Sequence, residues 1–396
     1  MKRGFAFIFT EEIKKLLTNY RLLFVIFVIP LGLFFYYKSI LNKGVPQKLP
    51  IALYDQDETK TSRELVRMLN STSSLDISSN VNSQEEGESK VRTNEAMGFI
   101  IIPTNFEKDI FRGNQVKVSC YYNGEYLLSG SLINRAFQAV IGEFSGSILQ
   151  NNLMKEGLSS YQAASSLSSL GIDTHILYNP FTNYSYYLSI SLMAMCFQLM
   201  VMTVTIYVLG SVLKYRKGRE LFLASNGNSW VAFWGKVLPY TILFSIIGFF
   251  MNTLVFYNIG TPLKGNFFIT NLYFILFIIV CQFLSLAYVS FCSSLRTALT
   301  LGGGSAAISF TFAGYTFPVE GLPVVIQYFS YVFPFTSYLR FTIDYSIRGV
   351  PIQYDIKYLV VFSIFIIVGL FSMKFYIKLL KKGCYDSYYE SKISLK

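Results

Sequence analysis

Histidine is nearly absent from the 396-residue chain, with His175 as its only instance. A metal centre of imidazoles or a histidine relay would need converging partners, and none lies beside His175 in the sequence; a solvated or interfacial ring is expected. A membrane-embedded transferase built on His175 is correspondingly the weakest functional reading. Cysteine is scarce as well. Cys196, Cys281 and Cys292 sit in apolar runs, Cys384 lies near the C-terminal end, and Cys120 stands alone in a polar stretch, which excludes an intrachain disulfide framework there. Cys120 is expected as a small apolar residue on a buried strand. Charged residues make up only 14% of the chain, and the long apolar runs contain almost none, which argues against a proton or ion pathway through them. No GxxxxGK[ST] pattern occurs, so the chain binds no ATP through a P-loop of its own.

What fills the chain is apolar. Hydrophobic residues contribute 52% and aromatic residues 17%, the composition of an integral membrane protein with one sizeable soluble insert. Of 34 Lys and Arg residues, 17 fall in segments expected on the cytoplasmic side near helix ends, so the net charge of +11 follows membrane topology rather than a nucleic-acid groove. The expected fold is a polytopic α-helical membrane protein with six transmembrane helices and an inserted α/β extracytoplasmic domain.

Residues 1–21 read as a cytoplasmic amphipathic helix, with Phe5, Ile8, Phe9, Ile13, Leu16 and Leu17 on one side. The first span covers 22–41 and is read as a retained anchor, kinked at Pro30. Residues 42–180 are polar and hold 15 of the 23 acidic residues. Strands are expected at Leu49 to Asp55, Ala96 to Ile102 and Val116 to Tyr122, and capping boxes at Thr61/Glu64 and Thr104/Glu107. A long amphipathic helix is marked by Leu132, Ile133, Ala136, Phe137, Val140, Ile141, Phe144 and Ile148. Ser71 to Glu88 reads as a mobile loop.

Further spans are expected at 187–213, 237–260, 266–294, 297–317 and 357–377, with 378–396 as a cytoplasmic tail. Gly302, Gly303 and Gly304 lack the lysine and preceding strand of a phosphate loop and read as close helix packing. Residues 318–339 hold Pro323 and Pro334, with Pro318 at their start. Two further prolines in an apolar run break a straight crossing, so a re-entrant pair of short helices in the outer leaflet is expected. Between the second and third spans, the loop 214–236 carries Lys214, Arg216, Lys217, Arg219 and Lys236 with the single acid Glu220. It also spaces Leu221, Leu223, Ala224, Trp230, Val231 and Trp234 as on a helix face, offered either to lipid headgroups or to a soluble partner.

Three local patterns resemble the transmembrane subunit of ABC exporters of the ABC-2 type, in the branch with a large extracytoplasmic domain after the first helix. They are Gly218, Glu220, Leu223, Gly235, Lys236, Leu238 and Pro239 in the loop; FPVEGLP (Phe317 to Pro323), FPFTSYLR (Phe333 to Arg340) and Arg348-Gly349 near the C-terminal end; and NPFTNY (Asn179 to Tyr184). Arg219 and Ser225-Asn226 replace the threonine and proline often found in the family's loop. The resemblance implies ATPase-coupling residues Gly218, Arg219, Glu220, Gly235 and Lys236, and an outer gate of Phe317, Pro318, Pro323, Pro334 and Arg340. It also implies no cofactor in this chain, Mg-ATP on a partner ABC ATPase subunit, a second permease subunit (a homodimer or a heterodimer), and a periplasmic adaptor as a further candidate partner. The setting would be a bacterial cytoplasmic (inner) membrane with both termini cytoplasmic, and the work export of an amphiphile or small molecule. Two alternatives stay open: Glu220 pairing only with Lys217 or Lys214 on its own helix face, and a non-transport anchor whose outer domain docks an envelope partner.

Overall fold

The computed structural model describes residues 3–40, 44–155, 157, 159, 177–179, 183–315 and 317–385. His175, residues 180–182 of the NPFTNY pattern and the tail lysines Lys392 and Lys396 lie outside the described residues. The chain divides into two compact units, one of Met1–Gly44 with Ile176–Lys396 and the other Val45–His175.

The first unit opens with helix α1 (Phe5–Thr18) and helix α2 (Tyr20–Ile40). Pro30 cannot donate to the carbonyl four residues back and crowds it. A π turn at Phe24–Val28 lets the helix pass that point.

The second unit is a four-stranded sheet in the order β2-β1-β3-β4, from β1 (Leu49–Asp55), β2 (Leu75–Asn80), β3 (Gly98–Ile102) and β4 (Ser119–Tyr122). β1 pairs in parallel with β2 and β3, while β4 closes one edge antiparallel to β3. Alternation along β1 and β3 sends Ile51, Leu53, Ile100 and Ile102 to one face and Ala52 and Phe99 to the other. The first face buries Leu65 and Leu69 of α3 (Lys60–Ser71), Phe106 of α5 (Phe106–Phe111), and Ile133, Val140 and Phe144 of α6 (Leu127–Lys155). Between them in sequence, α4 (Gln84–Arg92) begins at the Ser83 cap. The segment expected as a mobile loop is thus β2 and the start of α4. Its sequence LDISSN forms an edge strand through backbone pairing to β1, with only Leu75 and Ile77 alternating into the core. Burial pushes the Cys120 thiol up to about 12, as suits a packed structural residue.

Both expected capping boxes are replaced. The cap of α3 is Thr59, whose hydroxyl accepts from Ser62 N–H at 3.3 Å, and Asn105 ahead of α5 gives no side-chain cap. Glu107 instead reaches across, its Oε1 accepting from Thr61 N–H (3.3 Å) and Thr61 Oγ1 (2.6 Å), while Asp57 Oδ2 accepts from Glu107 N–H at 3.0 Å. Two orphan helix starts are satisfied by each other's loops.

The rest of the first unit runs through α7 (Tyr184–Lys214), α8 (Gly218–Ala224), α9 (Ser229–Thr253, extended by a π turn to Asn258), α10 (Phe267–Phe291), α11 (Leu295–Phe312), α12 (Val324–Ser330), α13 (Pro334–Phe341) and α14 (Ile356–Lys382). Among the described residues five helices are long and apolar enough to cross a membrane: Tyr20–Ile40, Tyr184–Lys214, Ser229–Asn258, Phe267–Phe291 and Ile352–Lys382. The span expected at 297–317 is the 18-residue α11, which holds Arg296 and the glycine run and is not among the five. Buried polar pairs tie these helices: Asn252 Nδ2 donates to Asn271 Oδ1 (2.9 Å), Thr241 Oγ1 to Gln282 Oε1 (2.9 Å), and Ser309 Oγ to Gln198 Oε1 (3.2 Å). Of the glycine run, Gly302 alone makes the close approach expected of it, facing Ile206, and Gly303 and Gly304 have open space.

Candidate functional site: the loop between α7 and α9

α7 ends at Lys214, and Tyr215, Arg216 and Lys217 lead into α8 with their side chains exposed. α8 is amphipathic on a short scale. Gly218, Leu221 and Ala224 are buried in a cluster with Leu213, Ala232, Phe233, Met373, Tyr376 and Leu380, while Arg219, Glu220 and Leu223 face outward. Glu220 forms no ion pair among the described residues, so its pairing with Lys217 or Lys214 is not formed here. Leu223 is 47% and Trp230 50% exposed, so these two stay on the outward apolar face that the spacing suggested, whereas Leu221 and Ala224 are buried.

α9 begins at Ser229, earlier than the span expected from residue 237, because the Asn228 side chain caps it by accepting from Trp230 N–H at 2.9 Å. Gly235 and Lys236 therefore lie inside the helix, not in the loop. Gly235 seats α1: a methyl group there would meet Ile8 Cγ2 at 2.9 Å. Lys236 is buried, and its Nζ donates to Glu12 Oε2 at 2.5 Å; Tyr240 OH donates to Glu12 Oε1 at 3.1 Å. Gly4 N–H donates to Ala224 C=O at 2.8 Å, which fastens the start of α1 to the end of α8. Of the five expected coupling residues, Gly218, Gly235 and Lys236 hold the loop together from within, and Arg219 and Glu220 are presented outward.

Glu12 is a site contact that the sequence does not single out. It sits on the buried line Ile8, Glu12, Leu16 of α1, four residues from each neighbour. The usable signal was an acid interrupting an apolar stripe, since a buried charge demands a partner.

The outer-gate set is assembled separately. Pro318 precedes a 3-10 turn (Val319–Gly321), Pro323 precedes α12, and Pro334 occupies the first turn of α13. A preset φ and a missing N–H suit a proline to these starts. The segment is thus two short helices, as expected from the breaks. Arg340 Nη1 donates to Tyr331 OH at 2.9 Å, and the guanidinium lies 5.5 Å from that ring's centre, joining the end of α13 to the end of α12. Phe317 is exposed. Asp344 accepts from Arg348 Nη1 (2.9 Å) and from Tyr358 OH (3.0 Å) near the start of α14, whereas Gly218 packs on Gly383 just past its end. Pro334 lines a cavity with Val361, Ile364 and Val368 in the first half of α14, so the two sets lie toward opposite ends of that helix.

The model of a family described as ABC-2 family transporter protein matches residues 20–372. Among curated proteins no relative matches the chain.

Proposed function

Because the chain belongs to the ABC-2 family of transporter proteins, we propose that it is the permease subunit of an ATP-driven exporter, coupled through Arg219 and Glu220 to a separate ABC ATPase that carries the Mg-ATP. The observation that carries this reading is the asymmetry of α8. One face is locked into the base of α9 and α14, and the other offers an opposed charge pair to a partner. A seven-residue helix so fixed transmits a push to the spans around it. Glu220 set among the exposed cations Lys214, Arg216, Lys217 and Arg219 suits a partner protein surface of mixed charge.

In this reading a second permease subunit completes the translocation path, and the termini and α8 lie on the cytoplasmic side of a bacterial inner membrane. The unit Val45–His175 stands outside, where an adaptor protein would find it. Closure of the ATPases on ATP displaces α8, and the short helices from Pro318 to Phe341 shape the exit for an amphiphilic or small-molecule substrate. The test is purification of the full chain with its ATPase from mild detergent. The double reversal Arg219→Glu, Glu220→Lys should release the ATPase while leaving the amount of membrane-inserted permease unchanged. Retention of the ATPase by that variant, or a chain that transports without ATP, overturns the reading.

A further inference from the structure

Resting on the coupling reading above, we propose that Glu12 and Lys236 form a buried latch that makes α1 move as one body with α8 and the base of α9, with Asn19 as the pivot through which this motion reaches α2.

Three attachments join α1 to the loop, each of a different kind. The Gly4 N–H to Ala224 C=O bond ties its start, the Ile8 to Gly235 contact seats its middle by shape, and the Glu12 to Lys236 pair sets its register by charge. The pair has both side chains almost fully removed from water, at 5% and 6% exposure, and Tyr240 OH takes the second carboxylate oxygen. Lys15 Nζ, 3.9 Å from Glu12, is the other cation near it and remains largely exposed. Burying such a pair adds little net stability. Its best-attested use is to specify one register against others, since any slip strands two charges in an apolar interface.

Beyond Thr18 the attachment stops. Asn19 leaves the helical region (φ −92°, ψ 87°), and its side chain caps α2 by accepting from Leu22 N–H at 3.2 Å. Two rigid helices thus meet at one non-helical residue. A cavity of about 570 Å³ flanks that junction, lined among others by Thr18, Asn19, Arg21, Thr203, Tyr207 and Leu299. Within this chain α2 buries 17% of its apolar window, against 28% for α14 and 67% for α7 and α10. A helix with few contacts to its own bundle and beyond a single-residue break swings at low cost when its lever is moved. Displacing α8 therefore carries α1 with it and re-aims α2.

Hydrogen–deuterium exchange on the full chain bound to its ATPase, nucleotide-free and trapped with ATP and vanadate, tests this without knowledge of the substrate. In the wild type, α1 should keep the same protection in both states, while Asn19 to Leu23 changes by at least about fivefold. Glu12→Gln and Lys236→Met should each raise exchange in α1 by at least about tenfold and abolish the response at Asn19 to Leu23, with the ATPase still bound. The charge-swapped double variant Glu12→Lys, Lys236→Glu, which re-forms the pair in the same register, should restore both signals even if the single variants accumulate poorly. Unchanged α1 exchange in the single variants, no response at the pivot in the wild type, or a double variant that restores neither signal overturns the latch. Retention of the ATPase by Arg219→Glu, Glu220→Lys overturns the docking reading alone.

Discussion

Gly218 lies against Gly383 with no room for a side chain between the two backbones. A methyl group at 218 would sit 2.9 Å from Gly383 Cα and 3.0 Å from its carbonyl carbon and oxygen. Gly383 in turn holds φ +95°, in the left-handed region, where it ends α14. The contact works because both partners are glycine, one for lack of volume and one for backbone freedom. Gly218→Ala must push α8 off the end of α14 and should cost about 1–3 kcal/mol of stability. Thermal unfolding in detergent reads that loss, and binding of the ATPase should weaken along with it.

The Asn252 to Asn271 hydrogen bond joins α9 to α10 inside the apolar layer. Asn252→Leu leaves Asn271 Oδ1 without this donor and should cost roughly 0.6–1.7 kcal/mol, the range of interhelical hydrogen bonds in membranes. Unfolding by titration with a denaturing detergent would show it, and a shift of zero would mean that Asn271 finds a second partner.

In the sheet-bearing unit, Glu107→Ala removes the acceptor for Thr61 N–H and Oγ1 at once. A half-exposed site predicts a loss of about 1–2 kcal/mol. Glu64→Ala, by contrast, should shift stability by less than about 0.5 kcal/mol, because its ion pair with Arg67 is exposed. Had both expected capping boxes formed, each acid would cap its own helix and the two losses would be alike, so comparing the two melting shifts discriminates the arrangements.

Cys120 predicts a pH dependence of definite sign. An unfolded thiol loses its proton near pH 8.5, whereas burial holds the folded one to about 12. Between those values the unfolded state binds fewer protons, so the group's contribution is intact below about pH 8.5 and is lost as pH rises toward 12. Alkaline melting of the Cys120→Ala variant should therefore fall less steeply than that of the wild type. Iodoacetamide at pH 8 should spare Cys120 in the folded chain and modify it after unfolding, as mass spectrometry would report.

Much of this architecture was legible because its signals are local. Uncharged runs bounded by Arg21, Lys214, Lys264 and Lys374 carry the long helices, and Pro318, Pro323 and Pro334 start short ones through their own backbone chemistry. Composition also separated the polar segment that forms the sheet. What escaped depended on distant partners. β2 offers only Leu75 and Ile77 as an apolar alternation, too short to announce a strand, and depends on pairing with β1. The capping boxes failed because Glu107 found Thr61, 46 residues away, instead of its own turn. The loop's outward face is narrower than its spacing suggests, since Leu221 and Ala224 are buried and Gly235 and Lys236 are interior, which leaves Leu223 and Trp230 exposed. Only the contact with α1 explains that, and no periodicity within the loop encodes it.

The seat of α1 has a consequence for the order in which the protein is made. Glu12 and Lys236 are 224 residues apart, so at a synthesis rate of about 5–20 residues per second the acid emerges roughly ten to fifty seconds before its counter-ion exists. During that interval α1 can rest at the membrane surface on its apolar side, with Glu12 hydrated. Its docking then belongs to the late steps of assembly, after α9 has entered the bilayer. A chain stalled before residue 236 would leave the N-terminal helix unlatched at the membrane surface, open to quality-control proteases.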